Sequence, residues 1–322
     1  MVKVVRMTAV GGPEVLRTDD LPLAPPKPGE VRVRHAAIGV NFVDIYFRKG
    51  LYPAGPFPAP LGVEAAGMVE AVGDGVTGFR PGDRVAYAGL PPGSYAEARN
   101  LPAERLLTLP ADLSFRQAAA ALLRGLTAHL LLFRVFGVKP GQTMLIHAAA
   151  GGVGLFLTRW AKRLGAITIG TVGSAAKADL ARSAGLDHPI LYRQEDFADA
   201  VRRLTGGRGV DFAVDGIGDA TLAKTLSVLR PFGLAASIGQ AGGPVPAIGI
   251  DALRNVALTR PSILGDIADL DAYREGARAV FAVLADGLAV EIGAEFPLAE
   301  AARAQAEMEA GRTTGSIILT AP

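Results

Sequence analysis

Cysteine is absent from this 322-residue chain. Disulfides and thiolate zinc sites are therefore excluded, and a secreted, disulfide-stapled fold is a poor match. The chain also lacks an excess of either charge. It has 33 Lys and Arg against 31 Asp and Glu, a formal net charge of +2. The basic residues are spread along the chain, which argues against nucleic acid as the main partner. No uncharged run approaches the ~18 residues of a membrane helix. The most apolar stretch, residues 118–136, is broken by Arg124, His129 and Arg134. Residues 1–6 read as a strand with charges inside it, without the roughly 7–15 apolar residues of a signal peptide. The expectation is a cytoplasmic protein with no membrane partner.

Half of the residues are apolar, enough for sizeable cores in about two domains of roughly 100–200 residues each. The first part of the chain reads as β-rich. Val31-Arg32-Val33-Arg34-His35-Ala36 alternates with a period of two, as a half-buried strand does. Pro25-Pro26-Lys27-Pro28-Gly29-Glu30 and Phe79-Arg80-Pro81-Gly82-Asp83-Arg84 are turn signals. A helix is expected over 41–49, ahead of Gly50. From about residue 125 the rhythm changes to short apolar runs alternating with helical stretches. Strands are expected at 143–147, 167–172, 211–215 and 233–238, with helices at 154–164 and 175–184. That alternation predicts an α/β, doubly wound parallel sheet. After about Gly265 come two more helices, near 273–286 and 298–310, and a last strand at 316–319.

The segment Ala148-Ala149-Ala150-Gly151-Gly152-Val153-Gly154 follows a predicted strand and opens a predicted helix. It is a relative of G-x-G-x-x-G, with Ala149, Gly151 and Gly154 at the three key positions. Small residues let the chain turn tightly, approach a pyrophosphate with its backbone, and pack the helix on the sheet. The helix N-terminus adds free N–H groups and a positive dipole end. Sites for NAD place a carboxylate roughly 20 residues on, for the ribose 2′-hydroxyl. Here the second strand ends Thr171-Val172-Gly173-Ser174, and Lys177 follows within one helical turn. A hydroxyl and an ammonium attract a 2′-phosphate, whereas a carboxylate repels it. The expected cofactor is NADPH. The four histidines show no metal-ligand spacing, and His147 reads as structural.

Longer motifs now carry a resemblance. Gly62-Val63-Glu64-Ala65-Ala66-Gly67, Pro81-Gly82-Asp83-Arg84-Val85 and the phosphate loop occur in the order of the medium-chain dehydrogenase/reductase superfamily. Asn41-Phe42-Val43-Asp44-Ile45-Tyr46, Gly50-Leu51-Tyr52-Pro53, Arg124-Gly125-Leu126-Thr127 and Thr259-Arg260-Pro261-Ser262 narrow it. Together they resemble the zinc-free quinone oxidoreductases, the zeta-crystallin-like branch, from end to end. The resemblance implies a GroES-like β-barrel catalytic domain over 1–124 plus 265–322, and a doubly wound Rossmann NADPH-binding domain over 125–264. It also implies an active site in the cleft between them and a homodimer. Zinc-dependent relatives carry Gly-His-Glu where this chain has Gly62-Val63-Glu64, and valine has no lone pair for a metal. No metal site is expected, so the chemistry is metal-free reduction rather than alcohol oxidation.

The implied reaction is hydride transfer from NADPH to a quinone, which needs little more than positioning in a dry site. The resemblance places Asn41, Asp44, Tyr46, Tyr52 and Arg260 around the acceptor. The tyrosines can stack on a flat ring and donate hydrogen bonds to its oxygen. Asn41 can bond the nicotinamide ribose or the substrate, and Asp44 orients its neighbours. For the cofactor, the loop Ala150, Gly151, Gly152, Val153 and Gly154 is joined by Gly173, Ser174, Lys177 and Tyr192 on the adenosine side. Thr127, Ile217, Ile238, Gly239, Gln240 and Arg312 are implied along the rest of it. Two other readings stay open: an NADPH-dependent enone or alkenal double-bond reductase, and a non-catalytic crystallin-like or RNA-binding protein that retains NADPH binding.

Overall fold

The computed structural model describes residues 1–219 and 221–321. The chain divides into two compact units, Met1–Leu126 with Ile267–Pro322, and Thr127–Asp266. Elements are numbered along the chain.

The first unit is built mainly on antiparallel strands. They are β1 (Val2–Met7), β2 (Leu16–Leu21), β3 (Glu30–Val40), β4 (Ala59–Pro60), β5 (Glu64–Val72), β6 (Arg84–Ala88), β7 (Ala98–Pro102) and β8 (Leu107–Thr108), with β15 (Ile292–Pro297) and β16 (Ser316–Thr320) from the far end of the sequence. The main sheet runs β15-β16-β3-β5-β6-β8, and β7 also pairs with β3; β15 and β16 are its parallel pair. The alternation read in β3 is real: Val31, Val33, His35 and Ala37 are buried while Arg34 is exposed. After Ala37 the strand is buried on both faces, and there β16 pairs beside it in the sheet, with Ile317 opposite Val40 and Leu319 opposite Ile38. The C-terminal strand thus completes the barrel-like sheet of the N-terminal segment. Helix α1 (Phe42–Arg48) leaves directly from the end of β3.

The second unit is a six-stranded sheet in the order β11-β10-β9-β12-β13-β14. The strands are β9 (Thr143–Ile146), β10 (Ile167–Val172), β11 (His188–Leu191), β12 (Val210–Asp215), β13 (Leu229–Ser237) and β14 (Ala257–Thr259). Every pairing is parallel. Helices α3 (Gly152–Arg163), α4 (Ala175–Ser183), α5 (Phe197–Leu204) and α6 (Thr221–Leu226) connect them. This is the doubly wound order of a Rossmann sheet, whose strand order reverses between β9 and β12. Strands buried on both faces carry continuous apolar runs, as Phe212-Ala213-Val214 does in β12, where the flanking Asp211 and Asp215 are buried as well.

One stretch differs from expectation. Residues 118–136, given no helix in the sequence reading, lie mostly in one helical segment, Phe115–Val135. It is long and apolar enough by composition to cross a membrane, and 78% of its most apolar window is buried inside the protein. The charges that seemed to break it are accommodated locally. The Arg124 guanidinium bonds the Val40 carbonyl at 2.6 Å, and His129 and Phe133 pack on Trp160.

Candidate active site

The phosphate loop leaves β9 at His147 and enters α3 with Gly151 as its N-cap. Ala148 takes a left-handed conformation, φ 51°, a strain of order 1–2 kcal/mol for a residue with a Cβ. The turn is tied down by Gly151 N–H to Ala148 O at 2.9 Å and by Ala149 N–H to Thr171 O at 3.0 Å. Gly154 lies directly on this turn. A Cβ there would stand 2.4 Å from Ala148 O and 2.7 Å from Ala149 Cα, so the helix packs on the strand end only with glycine at this position. Ala149 plays the matching part toward the next strand, its Cβ 2.6 Å from where a side chain at Gly170 would begin. The first-turn N–H groups of α3, Gly152 to Gly154, have no intrahelical acceptors by geometry. The loop therefore presents donors and a dipole end at the strand-order reversal, where open α/β sheets bind ligands.

Beside it, β10 ends at Val172. The Tyr192 ring lies over Gly173, its hydroxyl 3.1 Å from the position a Gly173 Cβ would take. Ser174 caps α4, accepting the Lys177 N–H at 3.3 Å, which places Lys177 in the helix's first turn. Gly173, Ser174, Lys177 and Tyr192 thus share one strand end, and neither Gly173 nor Ser174 brings a carboxylate. On the other side of the reversal, Ile217 and the segment Ile238-Gly239-Gln240 are held together. Ile238 N–H bonds Asp215 O at 2.8 Å, Ala241 N–H bonds Gly216 O at 3.0 Å, and Gly242 N–H bonds Ile217 O at 2.8 Å. Thr127 lies in α2 (Phe115–His129). Arg260 follows β14, is exposed, and has no ion-pair partner among the described residues.

In the first unit, Asn41 caps α1 and Asp44 occupies the third helical position. The Asp44 Oδ2 accepts the Asn41 N–H at 2.9 Å and the Tyr95 hydroxyl at 3.1 Å. Asp44 is fully buried, and its Oδ1 has no partner among the described residues. Burial pushes its pKa up to about 7, against the lowering effect of the Asn41 and Tyr95 hydrogen bonds. Asn41 in turn donates from Nδ2 to Glu64 Oε2 at 2.8 Å. Tyr46 and Tyr52 meet edge to face, centroids 5.8 Å apart, with Phe42 and Phe47 beside them. Arg312 forms a two-bond pair with Glu307 at 2.7 and 2.8 Å.

Residue reading missed the buried ion pair behind Asn41. Glu64 accepts from Leu123 N–H at 2.6 Å and faces Arg124 Nη1 at 3.4 Å. Burial raises the Glu64 pKa, and Arg124 opposes the rise. Gly39 makes room for the carboxylate: a Cβ there would fall 2.2 Å from Glu64 Oε2. The signal was present, since Glu64 is an acidic residue heading the apolar run Glu64-Ala65-Ala66-Gly67. Val63 beside it is fully buried, and among the described residues no cluster of three His, Asp or Glu could hold a metal ion.

A GroES-like unit and a Rossmann unit with a dinucleotide loop define an oxidoreductase of the medium-chain dehydrogenase/reductase class. The comparisons agree. Residues 27–111 match the alcohol dehydrogenase GroES-like domain, and residues 152–282 match the zinc-binding dehydrogenase family. A quinone oxidoreductase of Pseudomonas aeruginosa is 47% identical over 324 aligned residues, covering 99% of both chains. The crystal structure of Escherichia coli quinone oxidoreductase complexed with NADPH superposes with a TM-score of 0.96 at 40% identity, covering 99% of each chain. A 2-haloacrylate reductase of a Burkholderia species is 43% identical, covering 96% of each. The chain belongs to the quinone oxidoreductase family.

Proposed function

We propose that this protein is an NADPH-dependent quinone reductase that works without a metal. The observation that carries the reading is the end of β10, where Gly173, Ser174, Lys177 and Tyr192 gather without a carboxylate at Gly173 or Ser174. It stands beside a loop that tolerates only glycine at position 154. The solved relative that carries NADPH supports the same cofactor. NADPH supplies the hydride, and a proton completes the hydroquinone. Ala150, Gly151, Gly152 and Val153 hold the pyrophosphate with backbone N–H groups. Ser174, Lys177 and Tyr192 hold the adenosine 2′-phosphate. Ile217 and Ile238-Gly239-Gln240 line the nicotinamide half, with Thr127, Asn41 and Arg312 as further cofactor contacts.

Tyr46 and Tyr52 hold the flat acceptor and donate to its oxygen, Arg260 adds a positive charge, and Asp44 fixes Asn41. The reading includes a homodimer in the cytoplasm, with neither nucleic acid nor membrane as partner; the small net charge speaks against nucleic acid, and burial of the apolar helix inside the protein speaks against its spanning a membrane. A second reading, reduction of an activated carbon–carbon double bond, is favoured by the likeness to a 2-haloacrylate reductase. Following NADPH oxidation at 340 nm with 1,4-benzoquinone, 1,2-naphthoquinone and a panel of enones and 2-haloacrylates separates the two. Quinone turnover with NADPH preferred over NADH is expected. Turnover of the unsaturated compounds alone would transfer the assignment to the second reading.

A further inference from the structure

A chain of buried hydrogen bonds runs beneath the strand-order reversal of the second unit, and its direction can be worked out atom by atom. His147, at the end of β9, places Nδ1 3.0 Å from Thr171 Oγ1 on β10 and Nε2 2.9 Å from Thr225 Oγ1 on α6. Thr225 Oγ1 stands 3.0 Å from Asp215 Oδ2 at the end of β12 and 2.9 Å from the Thr221 carbonyl. Both are acceptors, so the single Thr225 proton must point to one of them. Thr225 then has nothing to give His147 and must accept from it. The imidazole therefore carries its proton on Nε2, and Nδ1 accepts from the Thr171 hydroxyl.

Burial holds His147 neutral by lowering its pKa, against the raising effect of Asp215. At the far end, Asp215 Oδ1 accepts the N–H groups of Ile217 and Gly218 at 2.9 and 3.0 Å. At the near end, the Ala148 N–H reaches Thr171 Oγ1 at 3.4 Å. His147, Thr171, Asp215 and Thr225 are all at most 6% exposed.

With the Thr225 hydroxyl turned to Asp215 Oδ2, the chain has a donor at every step, from Thr171 through His147 and Thr225 to Asp215. It joins the strained Ala148 turn of the phosphate loop to the Ile217–Gly218 turn. A dinucleotide lies across the reversal of strand order, with its adenosine half on the β10 side and its other half beyond β12. The two turns are then the supports of the two halves of one cofactor.

We infer that His147 and Thr225 are positioning residues for NADPH, setting the Ile217–Gly218 turn against the phosphate loop so that both halves of the cofactor are met together. This rests on the NADPH reading above. A fully satisfied buried network of this kind holds its members in place, whereas removing the Thr225 hydroxyl leaves the His147 Nε2 donor without its acceptor and Asp215 Oδ2 without this donor.

The test is Thr225→Val, which keeps the shape and removes the hydroxyl, with Thr225→Ser as the conservative control. Binding of NADPH is compared with binding of 2′,5′-ADP, which carries the adenosine half alone, by calorimetry. Thr225→Val is expected to weaken NADPH by about tenfold while leaving 2′,5′-ADP unchanged, and Thr225→Ser to restore NADPH binding. If Thr225→Val does not fold, His147→Asn takes its place, because its Oδ1 keeps the acceptor for Thr171 and it lacks the Nε2 donor. The same selective loss is expected. Equal loss of both ligands, or unaltered NADPH binding, would overturn the positioning role. An unmodified protein that binds 2′,5′-ADP and NADPH equally would also overturn it, and one that binds neither would overturn the cofactor reading itself.

Discussion

Asp44 shows how far a single side chain depends on its surroundings. In sequence it is one acidic residue near the start of a short helix. In the fold it is fully buried, bonded through one oxygen to Asn41 and Tyr95. Its pKa moves from 3.8 to about 7. Between those values the folded state holds a proton that the unfolded state has released. The contribution of this group to stability therefore falls as pH rises through that window and levels off above it. His35 works in the opposite sense. Burial lowers its pKa from 6.5 to about 4, so the unfolded state takes up the proton and stability rises with pH over that range. Comparing Asp44→Asn with the unmodified protein cancels the His35 contribution. The melting-temperature gain of Asp44→Asn is expected to be larger at pH 8 than at pH 4.5, by scanning fluorimetry across the pH range. A gain independent of pH would mean that Asp44 is ionised in the folded protein.

Among elements, the joint between α1 and α9 (Ala301–Glu309) is the most exacting. Arg48 is wholly buried. It donates to Gly11 O at 3.2 Å, to Gln305 Oε1 at 2.7 Å and to Glu309. Gln305 in turn donates to Tyr95 at 3.3 Å, so this joint continues into the Asp44 site. Lys49 shares Glu309 at 2.7 Å. Replacing Arg48 with Leu removes the charge and leaves three acceptors, Gly11 O, Gln305 Oε1 and Glu309, facing an apolar chain, a change costing roughly 3 kcal/mol. Urea unfolding is expected to show the loss as a lower midpoint with an unchanged slope; an unaltered midpoint would show that the pair carries no net stability. The period-two pattern of β3, the turn signals and the strand 167–172 were legible because each depends on near neighbours. Residues 118–136 were not. Arg124 and His129 look like interruptions until the Val40 carbonyl, Glu64 and Trp160 are brought to them.

The whole molecule places one unit within the sequence of the other. The chain crosses between them at Leu126 and Thr127 and again at Asp266 and Ile267. The first unit is therefore complete only when β16 reaches β3, pairing residues as distant as Val40 and Ile317. The second unit is assembled from consecutive strands and helices, and it carries the phosphate loop. A ligand that binds the folded form alone stabilises it by mass action, by about 2.7 kcal/mol at 100 times its dissociation constant. NADPH is expected to raise the melting temperature accordingly, and NADH at the same concentration to raise it less. Equal shifts would remove Ser174, Lys177 and Tyr192 as readers of the 2′-phosphate.

The sequence by itself determined the features whose chemistry is local. These are the small residues at 149, 151 and 154, the strand end Gly173-Ser174 without a carboxylate, Val63 where zinc-dependent relatives carry histidine, and the absence of cysteine. Each acts through its own size or charge. Tertiary structure decided the rest. Glu64 meets Arg124, Arg48 meets Gln305, and His147 meets Thr171, Thr225 and Asp215 only because sheet register and helix packing bring them together. In a dry interior a polar group needs a partner, and which partner it finds is a property of the fold.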